Sequence, residues 1–397
     1  MNGDDRLTGR EIVCVGFADW ETELWTNQHH LMSRLARDNR VLFIESLGLR
    51  RPQLAGRDLR RIARRVRRGL GGARAVPEGL DVLSPLVLPL HSRPAVRAVN
   101  ARLLPALVRR ETKRLGFTAP ILWAYVPQAE ALLATLRPSL VVYHCVDDIA
   151  AQPGVDAESF RAAEARFAAR ADLVLASAPA LAQRMRTLND NVLFAPNVAD
   201  TATFATALEP GPTDPALEAL PRPRIAFTGA VVATKLDVPL IVAVAKARPD
   251  YAFALVGPTG MGDPSTDVSA LHGVPNVHLL GGRRHDQLPA VLRGADVGII
   301  PYASNQLTAS IFPMKVYEYL ASGLPVVATR LPALDGIAAV ATAHDAEGFA
   351  RALDAALGHD SDGDRRARSQ LAAAHSWEAR LAEIASAISA LDERQRT

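Results

Sequence analysis

Between Gly294 and Thr329 the chain reads GADVGIIPYASNQLTASIFPMKVYEYLASGLPVVAT, and within it Lys315 and Glu318 stand three residues apart. That spacing puts an ammonium and a carboxylate on one face of a helix. The two groups suit different parts of one ligand. A lysine supplies a point charge for a diphosphate, whereas a carboxylate one turn deeper is poorly placed beside phosphate and well placed to accept two hydrogen bonds from a ribose diol. The alternative is a surface ion pair on an ordinary helix. The flanking runs 297–300 and 325–328 have the length and β-branched content of buried parallel strands. Pro313 suits the first turn of the intervening helix, and Gly323 is placed to end it. A loop that enters a helix N-terminus at the carboxyl end of a parallel strand is the usual seat of an anionic ligand, because free N–H groups point outward there.

The whole string, P-x-K-x-x-E-Y-x-A-x-G-x-P-V-V-A from Pro313 to Ala328, resembles the nucleotide-sugar-binding segment of GT-B glycosyltransferases, particularly bacterial enzymes that build capsular, teichuronic acid-type and other surface polysaccharides. The resemblance implies an α/β protein of two doubly wound, Rossmann-like domains facing an inter-domain cleft. It also implies that Glu318 binds the donor ribose as the second member of a Glu-x7-Glu pair. Here the first member is Ser310. A hydroxyl therefore stands where the family usually has a carboxylate that contacts a sugar hydroxyl, and the stereochemical rule of the classical retaining enzymes does not carry over.

Length fits two such domains, since 397 residues exceed what one hydrophobic core usually serves. With 49% hydrophobic and 22% charged residues the composition is that of an ordinary globular chain, and no apolar run reaches the roughly 18 residues of a membrane span. The start, MNGDDRLTGREIVCVGF, lacks the basic and apolar regions of a signal peptide, so the expected location is the cytoplasm or the inner face of the cytoplasmic membrane. Cys14 and Cys145 lie in apolar strand patterns and read as core residues of a reducing compartment, outside any metal-ligand spacing.

Charge is unevenly spread. Ten Arg and one acid, Asp58, fall between Arg50 and Arg74, which gives that segment +9 and leaves −6 for the rest of a chain whose net charge is +3. Within it RDLRRIARRVRR sets Leu59, Ile62, Ala63, Val66 and Leu70 on one helical face. Such a helix suits an anionic membrane surface, or it packs on its own domain with a solvated cationic face. Nucleic acid is disfavoured, because no aromatic residues are interleaved for stacking.

In chain order, EIVCVGF (11–17), a helix through His29 and Leu35, and VLFIE (41–45) make a βαβ opening without a G-x-G-x-x-G. Asp19 and Glu21, in the first loop, are candidates for acceptor contacts or for a base, or are plain exposed acids. VLSPLVLPL, ILWAYVPQ and LVVYHCVDD follow as further strands. Asp147 and Asp148, at a strand end, are candidate bases or helix caps; His144 within the strand reads as a core histidine. The run from Tyr143 to Asp148 and the later P-N-x-x-D around Asn197 resemble the same glycosyltransferase group.

The Pro-rich stretch 208–223 reads as a linker, giving an N-terminal domain 1–207, a C-terminal domain 224–372 and a final helical segment 373–397 that in the family commonly crosses back to the first domain. In the second half Gly229 follows a strand and permits close backbone approach. The resemblance assigns a diphosphate contact to Lys235, a role in the leaving group's departure to Lys235, Lys315 and a helix N-terminus at 308–312, and a nucleobase pocket to the backbone of Gly282, Arg283 and His285. It implies no metal and no cofactor beyond the nucleotide-diphosphate sugar, with a glycan or lipid-linked acceptor and, through Arg50–Arg74, an anionic membrane as partners. The reading that follows is a nucleotide-sugar-dependent glycosyltransferase of cell-surface polysaccharide biosynthesis. The alternatives are a non-catalytic GT-B-like binding or assembly protein, favoured by Ser310, and a nucleotide-sugar epimerase.

Overall fold

The computed structural model describes residues 7–22, 24–47, 71–85, 94–152, 154–261, 263, 266–358 and 360–396. The cationic helix expected between Arg50 and Leu70, and the end of the expected strand near Leu90, lie outside the described residues. Contacts divide the chain into two units, residues 1–196 with 381–397, and residues 197–380.

Among the described residues unit 1 carries eight strands: β1 (Glu11–Val15), β2 (Arg40–Ile44), β3 (Arg74–Ala75), β4 (Asp81–Leu83), β5 (Ile121–Ala124), β6 (Leu140–Cys145), β7 (Leu173–Ala176) and β8 (Val192–Phe194). Their order is β3-β4-β2-β1-β5-β6-β7-β8, parallel except for the β3–β4 pair. β5, β6 and β7 are buried along their whole length. That pattern is what continuous Val/Ile/Leu runs give when helices cover both faces of a parallel sheet. The sheet winds outward in both directions from β1 and β5, so its switch point lies between them.

Unit 2 repeats the plan with β9 (Arg224–Thr228), β10 (Ala252–Val256), β11 (Val277–Leu279), β12 (Val297–Ile300), β13 (Val326–Thr329) and β14 (Val340–Ala343) in the order β11-β10-β9-β12-β13-β14, all parallel. Its switch point is between β9 and β12, where Ile225 pairs with Val297 and Ala226 with Gly298.

The segment 208–223, expected as a linker, packs within unit 2. Asp214 caps a helical turn at Pro215–Glu218 by accepting from Ala216 and Leu217, and Leu217 is fully buried. The Arg293 guanidinium donates to the carbonyls of Thr206, Glu209 and Pro212 and so straps the segment to the helix Leu288–Gly294. Proline content concealed one capped apolar turn. At the other end the helix Trp377–Arg396 divides, its first residues grouping with unit 2 and those from Leu381 onward with unit 1, where Asp392 pairs with Arg10 at 3.0 Å. Among the described residues no helix is long and apolar enough to cross a membrane.

Candidate functional site

The site is built from the carboxyl ends of β9 and β12 and the helix Lys315–Ala321. Gly298 of β12 has no side chain, and the ring of Tyr319 fills its place: a Cβ there would come within 2.5 Å of the ring. The Tyr319 hydroxyl then reaches the end of β9, where it accepts from the Thr228 N–H at 2.9 Å and from the Thr228 hydroxyl at 3.2 Å. These contacts fix the helix lengthwise. Lys315, four residues earlier and on the same face, is thereby set against Gly229.

Gly229 has φ +128°, a region side chains rarely enter, and a Cβ on it would stand 2.6 Å from both Cε and Nζ of Lys315. Behind it, Gly257 brings the β10 chain so close that any Cβ would collide with the Gly229 carbonyl, while the Gly229 N–H donates to Val256 at 2.8 Å. The Lys315 ammonium lies 5.4 Å from the Phe227 ring centroid. Desolvation pulls its pKa down, but Tyr302, Glu318 and Tyr319 around it more than reverse this, so it stays above the ordinary lysine value and is charged at neutral pH.

Glu318 is 8% exposed, and its carboxylate accepts no hydrogen bond among the described residues. Burial raises its pKa above the usual carboxylate value, against the pull of Lys315 and His285. His285 is half-buried, its ring edge-on to Phe204 at 5.3 Å. Thus Lys315, Glu318, His285 and Gly229 are brought together. Ser310 is 7% exposed and follows a four-residue helix, Gln306–Ala309, capped by Asn305. The expected helix N-terminus at 308–312 is therefore not formed. Helix Gln306–Ala309 ends there, and Lys315–Ala321 starts afresh after Pro313.

Lys235 lies in the turn before the helix Val238–Ala247, which Asp237 caps. Its carbonyl accepts from Ala303, Thr234 accepts from the Asn305 side chain, and Leu236 bridges Tyr302. The loop is thus pinned to the segment that carries Tyr302, a neighbour of Lys315. The Lys235 ammonium forms no ion pair among the described residues. Gly282 is exposed and Pro258 would be its nearest neighbour, 3.6 Å from an added Cβ. The Arg283 side chain is committed elsewhere, gripping Asp214 through two bonds of 2.6 and 3.1 Å. That hydrogen-bonded pairing holds the Asp214 carboxyl below its usual range.

Unit 1 treats the four candidate bases differently. Asp148 is 5% exposed and held by Arg161 at 2.9 Å and by Arg184 at 3.4 Å, and Arg184 also meets the buried Glu164 at 3.3 Å. The Asp148 carboxylate is thus engaged in two ion pairs. Glu21 pairs with Arg74 at 3.1 Å. The Asp19 carbonyl accepts from Nε2 of His29 at 3.0 Å, and Nδ1 of that ring accepts from the Thr26 N–H at 3.1 Å. Burial lowers the His29 pKa despite both bonds, so the ring is neutral at pH 7 and clamps the first loop. Asp147 is half-buried, and its carbonyl accepts from Ile149. Among the described residues no three His, Cys, Asp or Glu side chains gather as a metal set.

Sequence reasoning missed Tyr319, Tyr302, Gly257 and Asp214. The tyrosine beside Glu318 and the glycine after β10 were visible as residue types. Their partners, Thr228 and Gly229, are 91 and 28 residues away and were not.

A Gly229→Ala exchange tests this packing. It forces a side chain into a positive φ and into the lysine, and is expected to cost roughly 1–3 kcal/mol of stability. Calorimetry would register a Tm several degrees lower; an unchanged Tm would mean that Lys315 is not seated on this glycine.

Residues 217–359, which contain this site, match the family described as Glycosyl transferases group 1. Over 99 residues the chain is 38% identical to TuaH of Bacillus subtilis (strain 168), a protein assigned as a glycosyltransferase of teichuronic acid biosynthesis; the match spans 25% of this chain and 24% of that relative. Among solved structures, sucrose-phosphate synthase from Thermosynechococcus elongatus aligns with a TM-score of 0.70 at 16% identity, covering 97% of this chain and 100% of that one. HepE of Anabaena in complex with UDP gives 0.65 at 15% identity, over 96% and 100% of the two chains. The α,α-trehalose 6-phosphate synthase of Burkholderia multivorans gives 0.65 at 12%, over 98% and 100%. The chain has the GT-B fold, with two Rossmann-like domains.

Proposed function

We propose that the chain is a nucleotide-sugar-dependent glycosyltransferase that acts in the assembly of bacterial surface polysaccharide. One observation carries the reading: at the switch point of unit 2, inside the matched family segment, a buried carboxylate and a charged lysine stand one turn apart against the open backbone of Gly229. The donor diphosphate lies along Gly229 and Lys315, with Lys235 on the adjoining loop. Glu318 accepts from the ribose hydroxyls, and the backbone from Gly282 to His285 lines the base. HepE, a structural neighbour, is named in complexes with UDP and with UDP-glucose, which supports this class of donor.

In the transfer, the bond from the sugar's anomeric carbon to the diphosphate oxygen breaks and a bond from that carbon to an acceptor oxygen forms. Negative charge grows on the departing diphosphate, and the fixed Lys315 ammonium stabilises it. The acceptor proton must leave. Asp147, at the carboxyl end of β6, is the first candidate base and Asp19 a further one; Asp148 and Glu21 are paired with arginines. Diphosphate charge is offset by side chains, with no obligatory metal. The acceptor is a glycan or a lipid-linked saccharide, and the cationic stretch Arg50–Arg74 suits the inner surface of the membrane.

Ser310 favours one second reading, an epimerase or a non-catalytic relative, because a nearly buried hydroxyl replaces a carboxylate expected to touch the donor sugar. Nucleotide release from UDP-, GDP-, dTDP- and ADP-sugars, assayed with and without polyprenyl-diphosphate saccharides, separates the readings. Acceptor-dependent release is expected. Isomerised donor without acceptor would indicate the epimerase, and no turnover with any pair would count against catalysis.

A further inference from the structure

The helix Pro94–Leu115 packs on unit 1 through Leu104, Val108, Glu111 and Thr112, each at most 6% exposed. At 100° per residue these side chains occupy one arc. From Val99 onward the described side chains of the opposite arc are solvent-exposed, and they are not all polar. Val99 is 42% and Leu103 45% exposed, one turn apart, with Ala106 exposed beside them. They are two of the five large apolar side chains most open to solvent among the described residues.

Cations surround them. Arg102, Arg109, Arg110, Lys113 and Arg114 all lie on the exposed arc, and the helix's one acid, Glu111, faces inward. Glu111 holds Arg110 and Arg114 at 2.8 Å each, which draws those two toward the protein. Arg102, Arg109 and Lys113 form no ion pair among the described residues. A surface of this composition combines apolar side chains that can enter the acyl boundary with basic side chains that meet headgroup phosphates.

We infer that the outer face of the helix Pro94–Leu115 docks on an anionic lipid bilayer, with Val99 and Leu103 inserted and Arg102, Arg109 and Lys113 on the phosphates. Charge complementarity selects the occupant: the face presents five cations and no acid, around an apolar centre too small for a stable protein interface. The inference rests on the membrane part of the reading above and adds the helix Pro94–Leu115 to the stretch Arg50–Arg74, whose described end meets it where the Ala73 N–H donates to Glu111. It does not depend on the donor site.

The full chain would be sedimented with vesicles of phosphatidylglycerol and phosphatidylcholine, and with phosphatidylcholine alone. Binding to the anionic vesicles only is expected. Neutralising these three cations, in Arg102→Gln/Arg109→Gln/Lys113→Gln, should weaken it about a hundredfold. Val99→Asp/Leu103→Asp should abolish it at unchanged Tm, since both positions are exposed. If both variants bind as wild type does while a variant with Arg60, Arg61, Arg64 and Arg65 changed to Gln loses binding, this face is not the docking surface although the membrane reading stands. If the wild-type chain ignores anionic vesicles, both fall. A nucleotide-induced rise in Tm that persists in every variant keeps the donor reading separate.

Discussion

Lys315→Ala is expected to lower kcat/KM for sugar transfer by about 10²–10³, the usual effect of removing one fixed group that meets charge developing in the transition state. The loss should fall mainly on kcat. The ammonium is held by the helix, by Gly229 and by Tyr302 before any ligand arrives, so its charge is available without reorganisation. Substrate already carries a diphosphate in the ground state, so KM should rise as well, by a smaller factor. Lys315→Arg should restore little, because the space left by Gly229 and the Phe227 ring accommodates an ammonium and a planar fork is larger. Steady-state kinetics with saturating acceptor would measure this. A Lys315→Ala enzyme within threefold of wild type would remove the lysine from the chemistry.

Glu318→Gln should separate stability from binding. The folded-state pKa of Glu318 is raised, so the carboxyl ionises less readily in the folded chain than in the unfolded one. A raised acid contributes its full relative stability below its unfolded pKa, near 4.5, and that contribution is lost as pH rises through the folded value. At neutral pH the ionised side chain therefore destabilises the empty protein, and Gln, of equal size, removes the penalty. The variant is expected to melt at or above the wild-type Tm at pH 7 and to lose that advantage below pH 4.5. Its donor affinity should fall about 10- to 100-fold, since an amide can accept from one ribose hydroxyl but turns its NH₂ toward the other, and hydrogen bonds to charged groups contribute about 1.5–3 kcal/mol. A binding site that weakens the empty fold is the pattern expected of residues kept for a ligand. Equal Tm curves across pH together with unchanged donor affinity would make Glu318 an ordinary helix residue.

The parts of this site that were legible in the sequence are those whose geometry is local. Lys315 and Glu318 share a helix face because of their spacing, and Gly323, with φ +79°, ends the helix where its position suggested. The flanking strands appear at the expected 297–300 and, one residue later than expected, at Val326–Thr329, since continuous apolar runs in a parallel sheet carry their own signal. The illegible parts join residues distant in the chain. The resemblance assigned the Arg283 backbone to the base pocket and said nothing of its side chain, which grips Asp214, 69 residues earlier. Asp148 had the right strand end for a base and is neutralised by Arg161 and Arg184, whose helices no local pattern brings to it. The segment 208–223 was read from its prolines, although Leu217 and the capping Asp214 were the residues that decided its packing.

The donor site is the centre of this account, and thermal stabilisation by nucleoside diphosphates tests it most directly. UDP, GDP, dTDP and ADP would be titrated against the wild-type chain and Glu318→Gln, each to about 100 times its dissociation constant, where a bound ligand adds roughly 2.7 kcal/mol to the folded state. One nucleotide should raise the wild-type Tm by several degrees and the Glu318→Gln Tm by at most about half as much at the same concentration, which places the ribose on this carboxylate and names the base. If no nucleotide shifts the wild type, or if the variant responds as the wild type does, the carboxylate, the lysine and Gly229 do not form a nucleotide-sugar site.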